Sequence, residues 1–313
     1  MPRLRTEPLE RSQLTAGSTN TRVQRVGAYI ALTKPRIIEL LLVETVPTMF
    51  VAKRGVPSVW LMVATLIGGS LAAGGANATN MVIDRDIDAL MERTKHRPLV
   101  TGVLSPRQAL TFALGIETAA FAWLWATTNL LAAVLAVSAF LFYVFVYTLW
   151  LKRTTRQNIV IGGAAGAIPV LVGWAAVTNS LNWAPVLLFL VIFFWTPPHF
   201  WALAVKYKDD YTAASVPMLP SVASARETSL QIIGYTVVLW VITVGFTWAG
   251  NLGWLYLGSA GVLGAVFLWF AVRLYQETTV RSAMRLFGWS ITYLTLLFAA
   301  MAVDVVVGWA PRF

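Results

Sequence analysis

The sequence predicts an all-α, polytopic membrane protein with nine transmembrane helices, and three observations carry that expectation. Of 313 residues, 58% are hydrophobic and only 12% are charged, with a mean hydropathy of +0.68; a soluble domain carries about 25% charged residues. Nine apolar runs approach the ~20 residues needed to cross a bilayer: 37–53, 58–80, 108–127, 129–149, 158–178, 184–205, 229–249, 253–273 and 288–308. The basic residues then alternate with the runs. With the N-terminus in the cytoplasm, every Lys and Arg except Lys53, Arg54 and Arg312 falls on the cytoplasmic side, as the positive-inside rule requires. The net charge of +10 is therefore expected of orientation in a membrane and not of nucleic-acid binding. The same alternation puts the C-terminus outside.

Residues 1–30 are polar, basic and rich in Ser and Thr, with no apolar leader core. They read as a disordered cytoplasmic tail, followed by one transmembrane domain over 31–313. The absence of Cys excludes disulfides and thiolate metal sites. Two His, His96 and His199, are too few for a multi-histidine metal site.

The second run ends in NMVIDRDIDALMERTKHRP, residues 80–98. Asn80, Asp84 and Asp88 stand at i, i+4, i+8, a row on one helix face about 12 Å long. An amide and two carboxylates at the end of a span suit a hard cation such as Mg2+. Lys95 and Arg97 follow and are placed to meet an anion that the metal brings. The alternative is a charged helix end leaving the bilayer. The third and fourth runs are almost continuous, and Thr127-Thr128-Asn129 marks the turn between them.

The next polar link, LKRTTRQN, carries Lys152, Arg153 and Arg156 beside Gln157 and Asn158. Three cations are ordinary for an inner loop, and they also suit a diphosphate whose charge grows. The fifth run is rich in Gly and Ala, which fits either close helix packing or a flat ligand. The sixth ends WTPPHFWALAVKYKDDYTAASVPMLP, where Pro197 and Pro198 should kink or break the helix. If the helix resumes, His199, Leu203, Lys206 and Asp210 share a face, with Lys206 and Asp210 as an i, i+4 pair and Tyr207 and Tyr211 as another. His199, inside the apolar run, is either a satisfied core residue or a functional group. Glu39, Glu44, Glu117 and Asp304 also fall within spans; Glu39 is expected to pair with nearby Lys34 and Arg36, Glu44 and Glu117 to take hydrogen-bonded structural roles, and Asp304, near an end, can reach water. Most remaining acidic residues follow runs two and six. Runs four apart imply two parallel four-helix repeats plus a ninth helix.

Asn80-x3-Asp84-x3-Asp88 followed by TKHRP resembles the first aspartate-rich motif of the UbiA-type intramembrane prenyltransferases. LTKPRIIELLLVETVPTMF, LKRTTRQNIVIGGAAGAIPVLVGWAAV, TPPHFWALA and YTAASVPMLP resemble the branch of that family that farnesylates heme. The likeness covers most of residues 32–220. It implies nine helices around a central cavity open to the cytoplasm and to lipid, in a bacterial-type cytoplasmic membrane. It implies transfer of farnesyl from farnesyl diphosphate to heme B with addition of water, and Mg2+ held between two acidic motifs. The first motif would be Asn80, Asp84 and Asp88. The second would be Asp210 with Asp209, adjacent here where the wider family has D-x3-D. Lys95, Arg97, Lys152, Arg153, Arg156 and Lys206 would meet the diphosphate, Asn158 and Tyr211 would line the substrate site, and His199 would position heme through its iron. Tyr143, Tyr147, Trp195 and Trp201 would offer aromatic faces to an allylic cation. A heme A synthase or a terminal oxidase would receive the product. Rival readings are a sister enzyme acting on a quinone or chlorophyll precursor, an ion-coupled transporter, and a heme-binding assembly subunit.

Overall fold

The structure, a computed structural model, describes residues 23–308, apart from the side chains of 36–42. The segment 1–22, Glu39 and Arg312 therefore lie outside the described residues. Residues 23–33 form a short helix in which Leu32 is buried.

Among the described residues nine long helices follow: α1 (Pro35–Lys53), α2 (Val59–Ile83), α3 (Pro106–Thr127), α4 (Leu130–Thr154), α5 (Asn158–Thr178), α6 (Trp183–Lys206), α7 (Ala225–Ala249), α8 (Trp254–Glu277) and α9 (Val280–Val307). Among the described residues no strand occurs. All but α1 are long and apolar enough to cross a membrane, and α1 has 19 residues. Local chemistry sets the ends. Ser58, Asn129, Asn182 and Ser224 each accept a backbone N–H in the first turn of the helix they precede. Ser105 with Gln108, and Thr279 with Ser282, form reciprocal capping boxes. Because that second box opens α9 with polar residues, the helix begins at Val280, two turns before the apolar run that marks it in the sequence.

Consecutive helices pack on one another. α1 also packs on α5, and α9 packs on α1, α6 and α8, closing the bundle. Close approach between α2 and α3 depends on Gly75, where a Cβ would lie 2.7 Å from the Glu117 carboxylate. The glycines of α5 divide their work. A Cβ at Gly162 would strike the Tyr147 ring at 2.3 Å, whereas Gly166 has open space beside it and lines the central cavity. Close packing and ligand room thus coexist on one helix.

Two local features depart from regular helix. In α4, Phe142–Leu151 is π-helical, and Thr148 Oγ1 donates to Tyr143 O five residues back. This wider turn lines Tyr143, Tyr147, Thr148 and Lys152 along the inner side and leaves Trp150 exposed. In α6, Pro197 and Pro198 lie inside a helix that continues to Lys206. The break comes instead at Tyr207 (φ −106°, ψ 24°), after which Lys208–Ala213 starts a new short helix. The expected single face through His199, Lys206 and Asp210 is therefore interrupted, and no Lys206–Asp210 ion pair forms among the described residues.

Candidate active site

A cavity of about 340 Å³ opens inside the bundle, walled by α1, α2, α4, α5, α6 and α9. Its wall is mainly Ala, Gly and aromatic carbon, with Glu44, Asn77, Thr196 and His199 among the few polar side chains. Tyr143 and Tyr147 stack on each other at 5.3 Å and line it together with Trp195. Trp201, expected to join them, is instead fully buried in the core, edge-on to Tyr235.

The acidic row runs from the last turn of α2 (Asn80) through its cap Asp84 into a short helix, Arg85–Leu90, that holds Asp88. Asn80, Asp84 and Asp88 are all buried, Asp84 completely. The carboxylates are desolvated but matched by cations arriving from three other segments. Lys152 at the end of α4 pairs with Asp84 Oδ2. Arg97 donates to Asp88 Oδ2 at 2.5 Å. Lys34, ahead of α1, donates to Asn80 Oδ1 at 2.9 Å, while Asn80 Nδ2 bridges Asp84 Oδ2 (2.7 Å) and Thr148 Oγ1 (3.1 Å). Burial, with the neighbouring charges of Arg97 and Lys152, pushes the Lys34 ammonium down to about 7. Arg153 holds Asp86 through two 2.7 Å bonds, keeping that exposed carboxyl at about 2. Asp86 thus faces away from the row its neighbours form.

The second acidic segment is docked through backbone. Asp210 accepts the N–H groups of Glu92 (3.2 Å) and Arg93 (3.4 Å), which ties the helix after α6 to the loop after α2. Asp209 is exposed. Tyr211 is buried beside this contact, and burial pushes its phenol up. The other expected residues divide clearly. Lys95 pairs with Glu92 at 2.5 Å, and Arg156 pairs with Glu227 at 3.1 Å. Lys206 is exposed, with its ammonium 5.4 Å from the Tyr207 ring centre. Asn158 is fully buried and donates to Pro217 O.

Lys34 and Thr148 are the site residues that sequence reasoning passed over. Lys34 carried a signal, a cation directly before Pro35 at the head of a span. Thr148 carried none, because its orientation depends on the π-turn.

Among the described residues no group of three or more His, Cys, Asp or Glu is assembled for a metal. The donor set at the row is two carboxylates and an amide. Asp84 Oδ1 is buried without a hydrogen-bond partner, with Arg153 3.7 Å away, an oxygen that a hard cation would satisfy.

A profile described as the UbiA prenyltransferase family matches residues 41–306. The chain belongs to this family. The chain is 54% identical over 286 residues to the protoheme IX farnesyltransferase of Streptomyces avermitilis, covering 90% of this chain and 94% of that protein. It is 50% identical over 302 residues to the protein of that name from Mycobacterium avium, covering 95% and 97%. The UbiA fold is seen too in solved structures. A UbiA homologue from Aeropyrum pernix K1 superposes with a TM-score of 0.71 at 16% identity, over 87% of this chain and 98% of that one. A homologue from Archaeoglobus fulgidus, bound to GPP and Mg2+, superposes at 0.63 and 15% identity, over 90% and 99%. This UbiA chain is a multi-pass membrane protein.

Proposed function

We propose that this protein transfers farnesyl from farnesyl diphosphate to a vinyl group of heme B, with addition of water, to give heme O and diphosphate. The observation that carries this reading is the 54% identity, over nine-tenths of the chain, to a relative named for that reaction. The site's chemistry agrees with it, since the buried carboxylates and their cations follow Asn77 of α2, which lines an apolar cavity.

Asn80, Asp84, Asp88 and Asp210 would hold Mg2+, with Asp209 beside them. When bound, the metal neutralises the diphosphate and weakens the breaking C–O bond. The chain's own cations do the rest. Lys152 and Arg97 exchange their aspartate partners for diphosphate oxygens, so that charge growing on the leaving group meets fixed donors. Lys34, Arg153, Lys95, Lys206 and Arg156 add positive potential at graded distance, and Asn158 and Tyr211 shape the surrounding wall. The farnesyl chain lies in the apolar cavity, which keeps water from the allylic cation. The faces of Tyr143 and Tyr147 attract that cation. The vinyl π electrons then form the new C–C bond, and water adds to the carbon left positive beside the porphyrin, losing a proton to solvent to leave the hydroxyl.

Residues 31–313 act as one catalytic domain. The acidic end faces the cytoplasm and the C-terminus lies outside, in a bacterial-type cytoplasmic membrane. Heme O passes to a heme A synthase or a terminal oxidase. The test is direct: membranes carrying the protein, given heme B, farnesyl diphosphate and Mg2+, should yield a species with the mass of heme O. They should yield none when EDTA replaces Mg2+. An ion-coupled transporter would release no diphosphate, and a quinone-prenylating enzyme would leave heme unchanged.

A further inference from the structure

His199 is held in an unusually complete frame. One ring face lies on Trp195 at 4.2 Å and the other on Phe287 at 4.7 Å, both nearly parallel. Its Nδ1 meets Ser290 Oγ at 2.7 Å. Ser290 is fully buried, and its hydroxyl lies 2.6 Å from Phe287 O, an acceptor one turn back on α9. A hydroxyl has one proton, and here it goes to that carbonyl. The oxygen is then left as acceptor, so the proton between His199 and Ser290 belongs to Nδ1. Nε2 is consequently the bare nitrogen. Ser290 fixes the second ring as well, since its carbonyl oxygen accepts the Trp195 indole N–H at 2.9 Å.

With both faces covered and Nδ1 engaged, the part of His199 left to line the cavity is the edge bearing Nε2. We propose that Ser290 is a positioning residue that locks His199 in the Nδ1–H tautomer and aims the Nε2 lone pair into the cavity as an axial ligand for porphyrin iron, so that the site selects an iron porphyrin over a metal-free one. The inference rests on the proposed heme chemistry and adds to it a means of acceptor choice. Imidazole bound to a metal is commonly oriented in this way by a hydrogen bond at its other nitrogen, and loss of such a partner typically lowers metal affinity about 10–100-fold. The lock lies on α6 and α9, on different helices from the acidic row proposed to handle diphosphate, so porphyrin binding and diphosphate release can be measured separately.

The experiment titrates the purified, lipid-reconstituted protein with iron(III) protoporphyrin IX and, separately, with metal-free protoporphyrin IX, following the Soret band. The unaltered protein should bind the iron form at least tenfold more tightly, with the spectrum of a histidine-ligated heme. His199→Gly should lose that spectrum and fall to the affinity of the metal-free porphyrin, whose own binding stays unchanged and reports an intact fold. Added imidazole should restore the ligated spectrum to His199→Gly. Ser290→Ala should weaken iron-porphyrin binding about tenfold without altering metal-free binding, and Ser290→Thr should recover it. Equal binding of the two porphyrins by the unaltered protein, or an unchanged heme spectrum in His199→Gly, overturns the inference even if heme O is made. Absence of heme O from a protein that shows the ligated spectrum overturns the proposed reaction instead, and leaves the ligation standing.

Discussion

The two acidic clusters occupy the same end of the bundle but are built on opposite principles. Asp84 and Asp88 are buried, and each is matched by a cation carried on a different segment. Asp210 is partly exposed and is held by two backbone N–H groups, while Asp209 faces solvent. The difference teaches what each can do. A buried pair is costly to leave half-made, because one charge then stays desolvated; the first cluster is therefore a fixed electrostatic frame. The second is a clasp that joins the loop after α2 to the segment after α6, and it can adjust without leaving a stranded charge in the core.

If this contrast holds, damage to the two clusters should differ in size and kind. The largest effect is expected for Asp84→Asn. It removes the central carboxylate while keeping the shape, and farnesyl transfer should fall about 10³-fold, of the order seen when a fixed electrostatic group is lost from an active site. Single-turnover diphosphate release measures this, and a loss under tenfold would break the contrast. Lys152→Met should follow, with release slowed about 10²-fold and the protein destabilised by at most about 3–5 kcal/mol, since Asp84 keeps Arg153 at 3.7 Å. Thermal unfolding in detergent reads the second part, and unaltered stability would contradict a fixed Lys152–Asp84 pair.

A smaller effect sharpens the comparison. Asp210→Asn retains an oxygen for the Glu92 and Arg93 N–H groups but not the negative charge. It should raise the Mg2+ concentration needed for half-maximal rate about tenfold, the order expected for one lost charge–metal contact. Asp210→Ala, which loses the dock too, should be worse. Equal effects from the two would mean that Asp210 serves only the metal. The smallest effect belongs to Arg156→Ala. Its pair with Glu227 is about half exposed, and such pairs contribute about 0–1 kcal/mol, so rate and stability should both stay near those of the unaltered protein.

Much of this architecture was legible from composition alone. The spans followed from length and hydropathy, and the boundaries agree except where helices begin or end in polar turns, as α9 does at its capping box. The acidic row was legible because i, i+4 backbone bonds link Asn80, Asp84 and Asp88 even though the helix breaks at Asp84 and Asp88 lies in the short helix Arg85–Leu90. What the sequence hid was register and tertiary partnership. The π-turn of α4 is not encoded by a breaker residue, yet it decides that Thr148 reaches Asn80 and that Lys152 reaches Asp84. The stop at Tyr207 has no Gly or Pro to announce it, and it separated Lys206 from Asp210. The pairing of Ser290 with His199 spans 91 positions, beyond any local pattern.

The central claim is that the buried row, and not the exposed clasp, carries diphosphate departure during farnesylation of heme. The most direct measurement compares Asp84→Asn with Asp209→Asn in one assay that counts diphosphate released and heme O formed from the same farnesyl diphosphate. The account predicts equal amounts of the two products in each variant, at a rate within about threefold of the unaltered protein in Asp209→Asn, as for a solvated surface charge, and about 10³-fold lower in Asp84→Asn. Equal activity in the two variants, or diphosphate released without heme O by the unaltered protein, would contradict it.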